Sequence, residues 1–285
     1  MKYFEADFTI SPYSPDAIDL LADIAGEAGF ESFEVTPTGL KGYVQQQLFN
    51  PMLLDFGIAD FPIECVDITY DIHEAEDRDW NEQWEQEGFE PIVIPPSLVI
   101  HDGRHSPDIT YPTSIEIDAR QAFGTGTHET TRMICSTLLE LKDQRLAGAR
   151  VLDCGTGTGI LSICALKLGA AEAIGYDIDE WSVDNARHNA VINQVDNHFQ
   201  SILGDATILN KVDGTFDLIL ANINRNILLS DLPAFREKMS DKAILILSGF
   251  YTSDMTMLIS KAETLGLSLQ KQKEDHDWAC LIFSL

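Results

Sequence analysis

Basic residues are scarce in this chain: 19 Lys and Arg stand against 46 Asp and Glu, for a net charge of −27. Such a surface repels phosphate backbones, which argues against nucleic acid as a direct partner and favours basic ones. Long apolar runs are also missing; AILIL and DLILANI fall far short of the roughly 20 residues that span a bilayer. The opening MKYFEADFTISPYSPD carries no basic segment followed by an apolar one, so no signal peptide is expected. The five cysteines (Cys65, Cys135, Cys154, Cys164 and Cys280) form no CxxC pair and have no histidine at zinc spacing. That dispersal fits reduced, partly buried thiols in a cytoplasm and implies no structural metal. The chain has no internal repeat and no low-complexity tract.

What is present is 285 residues with 45% hydrophobic content, ample for folded cores and comfortable for two domains. The charge is uneven: residues 1–88 hold 20 acidic and 3 basic residues, while the remainder holds 26 and 16. Either this is a generic soluble surface, or the N-terminal part attracts something cationic. Residues 1–72 read as strand (YFEADFTI), helix (SPDAIDLLADIAGEAG), hairpin (FESFEVTPTGLKGYV), helix (QLFNPMLLDFG) and strand (ECVDITYDI). The order βαββαβ predicts a small ferredoxin-like α+β domain. Residues 73–91 then read as a polar linker helix with an aromatic stripe at Trp80, Trp84 and Phe89, ended by Pro91, Pro95 and Pro96.

From residue 92 to 285 short strands and helices alternate, which predicts a Rossmann-like α/β domain with a parallel sheet covered by helices. The last two extended pieces, LSLQKQK and WACLIFSL, predict an antiparallel hairpin at or near one edge. Ligands of such sheets sit beyond the carboxyl ends of the strands, beside the first strand. Here that strand is VLDC, and Gly155, Gly157 and Gly159 turn it into a helix. Their missing side chains admit a ligand close to the backbone, and the helix N-terminus favours an anion such as a carboxylate. The spacing G-x-G-x-G followed by Ile160 lacks the later glycine of a dinucleotide fingerprint, and no G-K-[ST] marks a triphosphate loop. Asp177 ends the next strand where a ribose diol would lie, unless it serves only as a turn residue. Asp153, inside the first strand's end, is suited to orient the glycine loop.

A second glycine-bearing stretch, FGTGTHETT at 123–131, precedes the first strand and opens a helix. VLDCGTGTG, an acid after the second strand, GDA after the third and LAN after the fourth resemble the seven-stranded methyltransferases that use S-adenosylmethionine. With FGTGTHETT upstream, DWNEQWEQEGFEP as linker and ANI in place of N-P-P-Y, the chain is similar to the family that methylates large-subunit ribosomal protein eleven. The resemblance implies an N-terminal recognition domain, a helical linker and a catalytic domain. It implies N-methylation of lysine side chains and of the α-amine of that basic protein, with S-adenosylmethionine as donor. It also implies cofactor contacts at Thr131, Gly155, Asp177 and Asn222, and a place near the adenine for Asp205.

On this reading the two loops close on one cofactor from opposite sides. The hydroxyls and N–H groups of Thr130 and Thr131 are suited to the methionine portion, although both also suit plain helix capping. His128 either lines the methyl-transfer pocket or fixes the loop by hydrogen bonds. Asn222 is the candidate to orient the target nitrogen or the cofactor; without the prolines of N-P-P-Y, its segment favours an sp³ amine over a flat amide. Trp278 is placed either at the acceptor pocket or in the core. The rival readings are a glutamine-amide or small-molecule N-methyltransferase, a nicotinamide-dependent oxidoreductase, and a non-catalytic binding protein.

Overall fold

The computed structural model describes residues 3–63, 66–75, 88–105, 107, 109–119 and 124–285. The chain forms two compact units, 1–80 and 81–285. The first contains β1 (Tyr3–Ser11), α1 (Pro15–Glu27), β2 (Ser32–Thr36), β3 (Gly39–Gln45), α2 (Pro51–Ala59) and β4 (Asp67–Glu74). Its strands pair antiparallel in the order β2-β3-β1-β4. Alternation along β1 turns Ala6, Phe8 and Ile10 inward, onto a core shared with Leu21 and Ala25 of α1. Ser14 caps α1 by accepting from the Ala17 N–H, with Pro15 in the first turn, where its missing donor costs nothing.

Two boundaries differ from the sequence reading. The second helix is expected from about residue 47 but starts at Pro51, because Asn50 caps it by accepting from the Leu53 N–H at 3.3 Å. The last strand of this unit runs to Glu74, two residues past the expected boundary at 72. Most of the expected linker at 73–91, with Trp80 and Trp84, lies outside the described residues. Phe89 is described, and it packs against the core of the second unit.

The second unit opens with a small sheet of β5 (Ile92–Ile94), β6 (Leu98–His101) and β7 (Thr113–Glu116). Next come α3 (Glu129–Leu141), β8 (Arg150–Cys154), α4 (Ile160–Lys167), β9 (Glu172–Asp177), α5 (Glu180–Ile192) and β10 (Phe199–Leu203). The chain continues through β11 (Phe216–Asn222), α6 (Arg225–Lys238), β12 (Met239–Tyr251), α7 (Met255–Thr264), β13 (Ser268–Asp275) and β14 (Trp278–Ser284). These last seven strands form one sheet in the order β10-β9-β8-β11-β12-β14-β13. Strands β8 to β12 are parallel, and β14 is antiparallel to both its neighbours.

The closing hairpin therefore places β13 at the edge and β14 inside. The reason is visible in their patterns: Ala279 to Phe283 are all buried, whereas β13 is mostly exposed. Successive residues of the central strands feed opposite faces of the sheet. Val151, Leu218 and Ile246 join the core under α3 and α4, while Leu152, Ile219 and Leu245 join the core under α6 and α7. The chain reverses direction across the sheet at β8 and β11, so the carboxyl ends of these two strands frame the opening where ligands of such folds bind. No helix among the described residues is long and apolar enough to cross a membrane.

Candidate active site

A cleft of about 1060 Å³ opens at that point, and the ends of four adjacent strands line it. Gly155 and Gly157 follow β8, Asp177 ends β9, Asp205 follows β10 and Asn222 ends β11. Gly155 and Gly157 have φ of 70° and 51°, a region that side-chain-bearing residues rarely adopt. A Cβ on Gly155 would also lie 2.4 Å from Cγ2 of Ile223, the residue after β11. The turn and the end of β11 are thus fitted to each other.

Behind this turn, Asp153 is fully buried. Its Oδ2 accepts from the hydroxyls of Thr156 at 2.9 Å and Ser162 at 2.8 Å and from the Ser162 N–H at 3.2 Å. Burial pushes its carboxyl up to about 7, against the pull of those bonds and with a further push from Asp177. The expectation that Asp153 orients the glycine loop is met through Thr156 and Ser162, which sequence reading does not single out. Thr156 has room because β9 carries Gly175 beside it, where a Cβ would come 2.6 Å from the Thr156 hydroxyl.

Asp177 holds the turn from the other side. Its Oδ2 accepts the Gly157 N–H at 2.9 Å and its Oδ1 accepts the Asp179 N–H at 3.1 Å. Both oxygens retain lone pairs for further donors. Asp205 accepts from the hydroxyl and the N–H of Thr207, and these bonds hold its carboxyl below the usual range. Across the cleft, Asp231 of α6 is pushed upward by partial burial.

The first loop meets the second directly. The Thr158 hydroxyl donates to the Gly124 carbonyl at 2.6 Å, and both Gly124 and Thr131 line the cleft. Thr131, in the first turn of α3, lies 3.4 Å from Nδ2 of Asn222. Oδ1 of Asn222 is buried and has no donor among the described residues. A buried acceptor without a partner is costly and calls for an explanation.

The structure does not bring Thr130, Gly159 or His128 to the cleft. Thr130 is buried and faces His128, whose Nδ1 lies 2.9 Å from the Thr130 hydroxyl and caps α3 through the Thr130 N–H. These hydrogen bonds are those of the loop-fixing alternative for His128, and its ring also packs edge-on against Trp278 at 4.6 Å. Trp278 also stacks on Tyr251 at 4.4 Å, forming an aromatic group at the ends of β12 and β14. Gly159 faces α5, where a Cβ would lie 3.1 Å from Cβ of Ala186, and its φ of 82° independently favours a glycine. The remaining predicted residues, Thr131, Gly155, Gly157, Asp177, Asp205 and Asn222, all border the one cleft.

A model of the family described as ribosomal protein L11 methyltransferase (PrmA) matches residues 32–285. A ribosomal protein L11 methyltransferase of Bacteroides thetaiotaomicron is 44% identical over 288 residues, covering 100% of both chains. One from Phocaeicola vulgatus is 43% identical over 283 residues, covering 99% of each. Among solved structures, the ribosomal protein L11 methylase of Lactobacillus delbrueckii subsp. bulgaricus superposes with a TM-score of 0.60 at 28% identity, over 69% of this chain and 98% of that one. With a family match over most of its length and full-length relatives well above 30% identity, the chain belongs to the ribosomal protein L11 methyltransferase family.

Proposed function

We propose that this enzyme transfers methyl groups from S-adenosylmethionine to lysine side chains and the N-terminal α-amine of ribosomal protein L11. The observation that carries this reading is the meeting of Asn222, Thr131, Asp177 and the Gly155–Gly157 turn at one cleft, where Oδ1 of Asn222 has no donor among the described residues. Donor and acceptor groups of a sulfonium nucleoside match what is there. Asp177 has spare acceptor capacity for a ribose diol, Asp205 stands beside it for the base, and Thr131 with the glycine turn faces the amino-acid portion.

When bound, S-adenosylmethionine supplies an electrophilic methyl group. The protein's part is alignment, because in-line displacement depends on holding the nucleophile in the attack direction. The Asn222 amide, at the cleft end of β11, orients the incoming amine so that its nitrogen lone pair is free for attack. The amine must be neutral to react. A lysine with a pKa of ~10.4 is neutral in roughly one molecule per few thousand at pH 7, and an α-amine near ~7.8 far more often. Burial of the amine lowers its pKa, so exclusion of water at the Asn222 end of the cleft promotes deprotonation. The overall charge of −27 acts earlier, by drawing a basic protein to the surface.

The first unit, with its βαββαβ order and strand order β2-β3-β1-β4, is ferredoxin-like in this reading and serves as the recognition domain. The recognition domain proposed at 1–72 extends to the end of β4 at Glu74, and the methyltransferase domain is proposed at 92–285. The substrate is protein rather than nucleic acid or membrane, and the enzyme works in the cytoplasm. A glutamine-amide or small-molecule substrate is disfavoured by the missing N-P-P-Y, and a nicotinamide by the missing glycine at 160.

The test is transfer of labelled methyl from S-adenosylmethionine to a mixture of purified ribosomal proteins. Label on L11 is expected at amines. Label on a release factor alone, or at an amide, would overturn the substrate assignment.

A further inference from the structure

Asn185 and Asn189 of α5 and Asn193, which caps its C-terminus, follow one another at four-residue spacing, so they share one face. All three are nearly or fully buried, which is uncommon for this residue type unless its amide is satisfied. Their partners are main-chain groups of the segment that leaves β7. Asn193 accepts the Glu116 N–H at 3.1 Å and donates to the Glu116 carbonyl at 2.6 Å. Asn189 accepts the Asp118 N–H at 3.0 Å, and Asn185 donates to the Asp118 carbonyl at 2.9 Å. The side chains of a helix thus pair with an extended segment as a neighbouring strand would.

Asn189 does something more. Its Nδ2 donates to the Thr158 carbonyl at 2.9 Å, inside the second glycine loop. The Thr158 hydroxyl in turn donates to the Gly124 carbonyl at 2.6 Å, in the first loop. One amide therefore ties the approach to the first loop, at Asp118, to the second loop. One hydroxyl ties the second loop back to the first loop six residues further on. Neither Asn189 nor Thr158 lines the cleft, whereas Gly124, Thr156 and Gly157, which they hold or adjoin, do.

We infer that Asn189 and Thr158 are positioning residues for the methyl-donor site, fixing the first glycine loop against the second so that both face one ligand. This inference rests on the reading of the cleft as an S-adenosylmethionine site. Geometry favours it over simple packing. The Asn189 amide is satisfied on three sides, by Asp118, by Thr158 and by Oδ1 of Asn185 at 3.2 Å, so no rotation of the side chain keeps them all. A leucine or methionine would fill the same volume without joining the loops.

The test compares Thr158→Val, nearly isosteric but without the hydroxyl, Thr158→Ser, which keeps it, and Asn189→Ala. Calorimetry with S-adenosylmethionine and with its demethylated product reads affinity without turnover, and melting without ligand reads the fold. For Thr158→Val the expected result is a melting transition that stays cooperative and falls by at most a few degrees, with donor binding weakened about three- to tenfold, the range of one lost hydrogen bond. Thr158→Ser should bind like the wild type. Asn189→Ala should weaken binding by more than Thr158→Val, and in both variants the KM for the donor should rise by a larger factor than kcat falls. Wild-type affinity in Thr158→Val, or equal losses in the Val and Ser variants, would overturn the inference whether or not Asn189→Ala folds. Failure of the unaltered enzyme to bind S-adenosylmethionine would overturn the donor-site reading itself.

Discussion

Asn222 and Thr131 are 91 positions apart in the chain, yet the amide nitrogen of one lies 3.4 Å from the hydroxyl oxygen of the other. One ends β11 and the other opens α3, so their approach joins the two halves of the cleft. At that length the bond adds little stability, and the amide oxygen has no donor among the described residues. Asn222→Ala should therefore melt close to the wild type while methyl transfer to ribosomal protein L11 falls by about a hundredfold or more, the scale of losing an orienting group. A rate of labelled transfer within a factor of two of wild type would remove Asn222 from the reaction.

Asp177 has a different role, since its oxygens already hold the Gly157 and Asp179 N–H groups. Asp177→Ala should weaken S-adenosylmethionine binding by about tenfold or more, because it removes an acceptor and loosens the turn that faces the ligand. Calorimetry checks this, and the ligand-free melting transition should remain cooperative. Unchanged affinity would take Asp177 out of the site.

Gly155→Ala introduces two costs at one place. The φ of 70° disfavours any Cβ by about 1–2 kcal/mol, and the new methyl would meet Cγ2 of Ile223 at 2.4 Å. Ile223 must shift, and it is bonded to Asn222. The variant should lose a few degrees of melting temperature and bind donor more weakly, as read by thermal unfolding with and without S-adenosylmethionine. A full wild-type thermal shift on adding donor would contradict the close fit of turn and β11.

The buried carboxyl of Asp153 predicts a pH dependence. Burial raises it to about 7, whereas in the unfolded chain it titrates near ~3.9. The folded state thus binds this proton more tightly. The stability it contributes is full below about pH 4 and is lost as pH rises through about 7. Asp153→Asn, which does not ionise, should show a smaller decline in melting temperature than the wild type between about pH 5 and 8. Parallel curves for the two proteins would show that Asp153 does not titrate there.

Much of the fold is legible because its signals are local. The alternation in YFEADFTI, the run ACLIF and the strand–glycine–helix passage at VLDCGTGTGIL each carry their own period or punctuation, and each is found as read. Asp177 is legible as the acid that ends the strand after the glycine loop, and Asn222 through the resemblance carried by LAN after the fourth strand; both border the cleft. His128, Thr130 and Gly159 are not legible, because a motif gives position along the chain and not the direction in which a side chain points. His128 turns to Trp278, 150 residues away, and Gly159 turns to Ala186. The asparagine face of α5 was available in the sequence as a four-residue repeat of one polar type, but only tertiary pairing with 116–118 gives it meaning.

The contact between Gly175 and Thr156 reaches beyond this one protein. A Cβ at 175 would occupy the space of the Thr156 side chain, whose hydroxyl serves Asp153. Neither position is free to change alone: enlarging one demands a smaller partner at the other. In an alignment of relatives the two should drift as a linked pair, alanine or serine at 175 arriving together with glycine or serine at 156, a signature of shared ancestry under steric constraint rather than of chemistry.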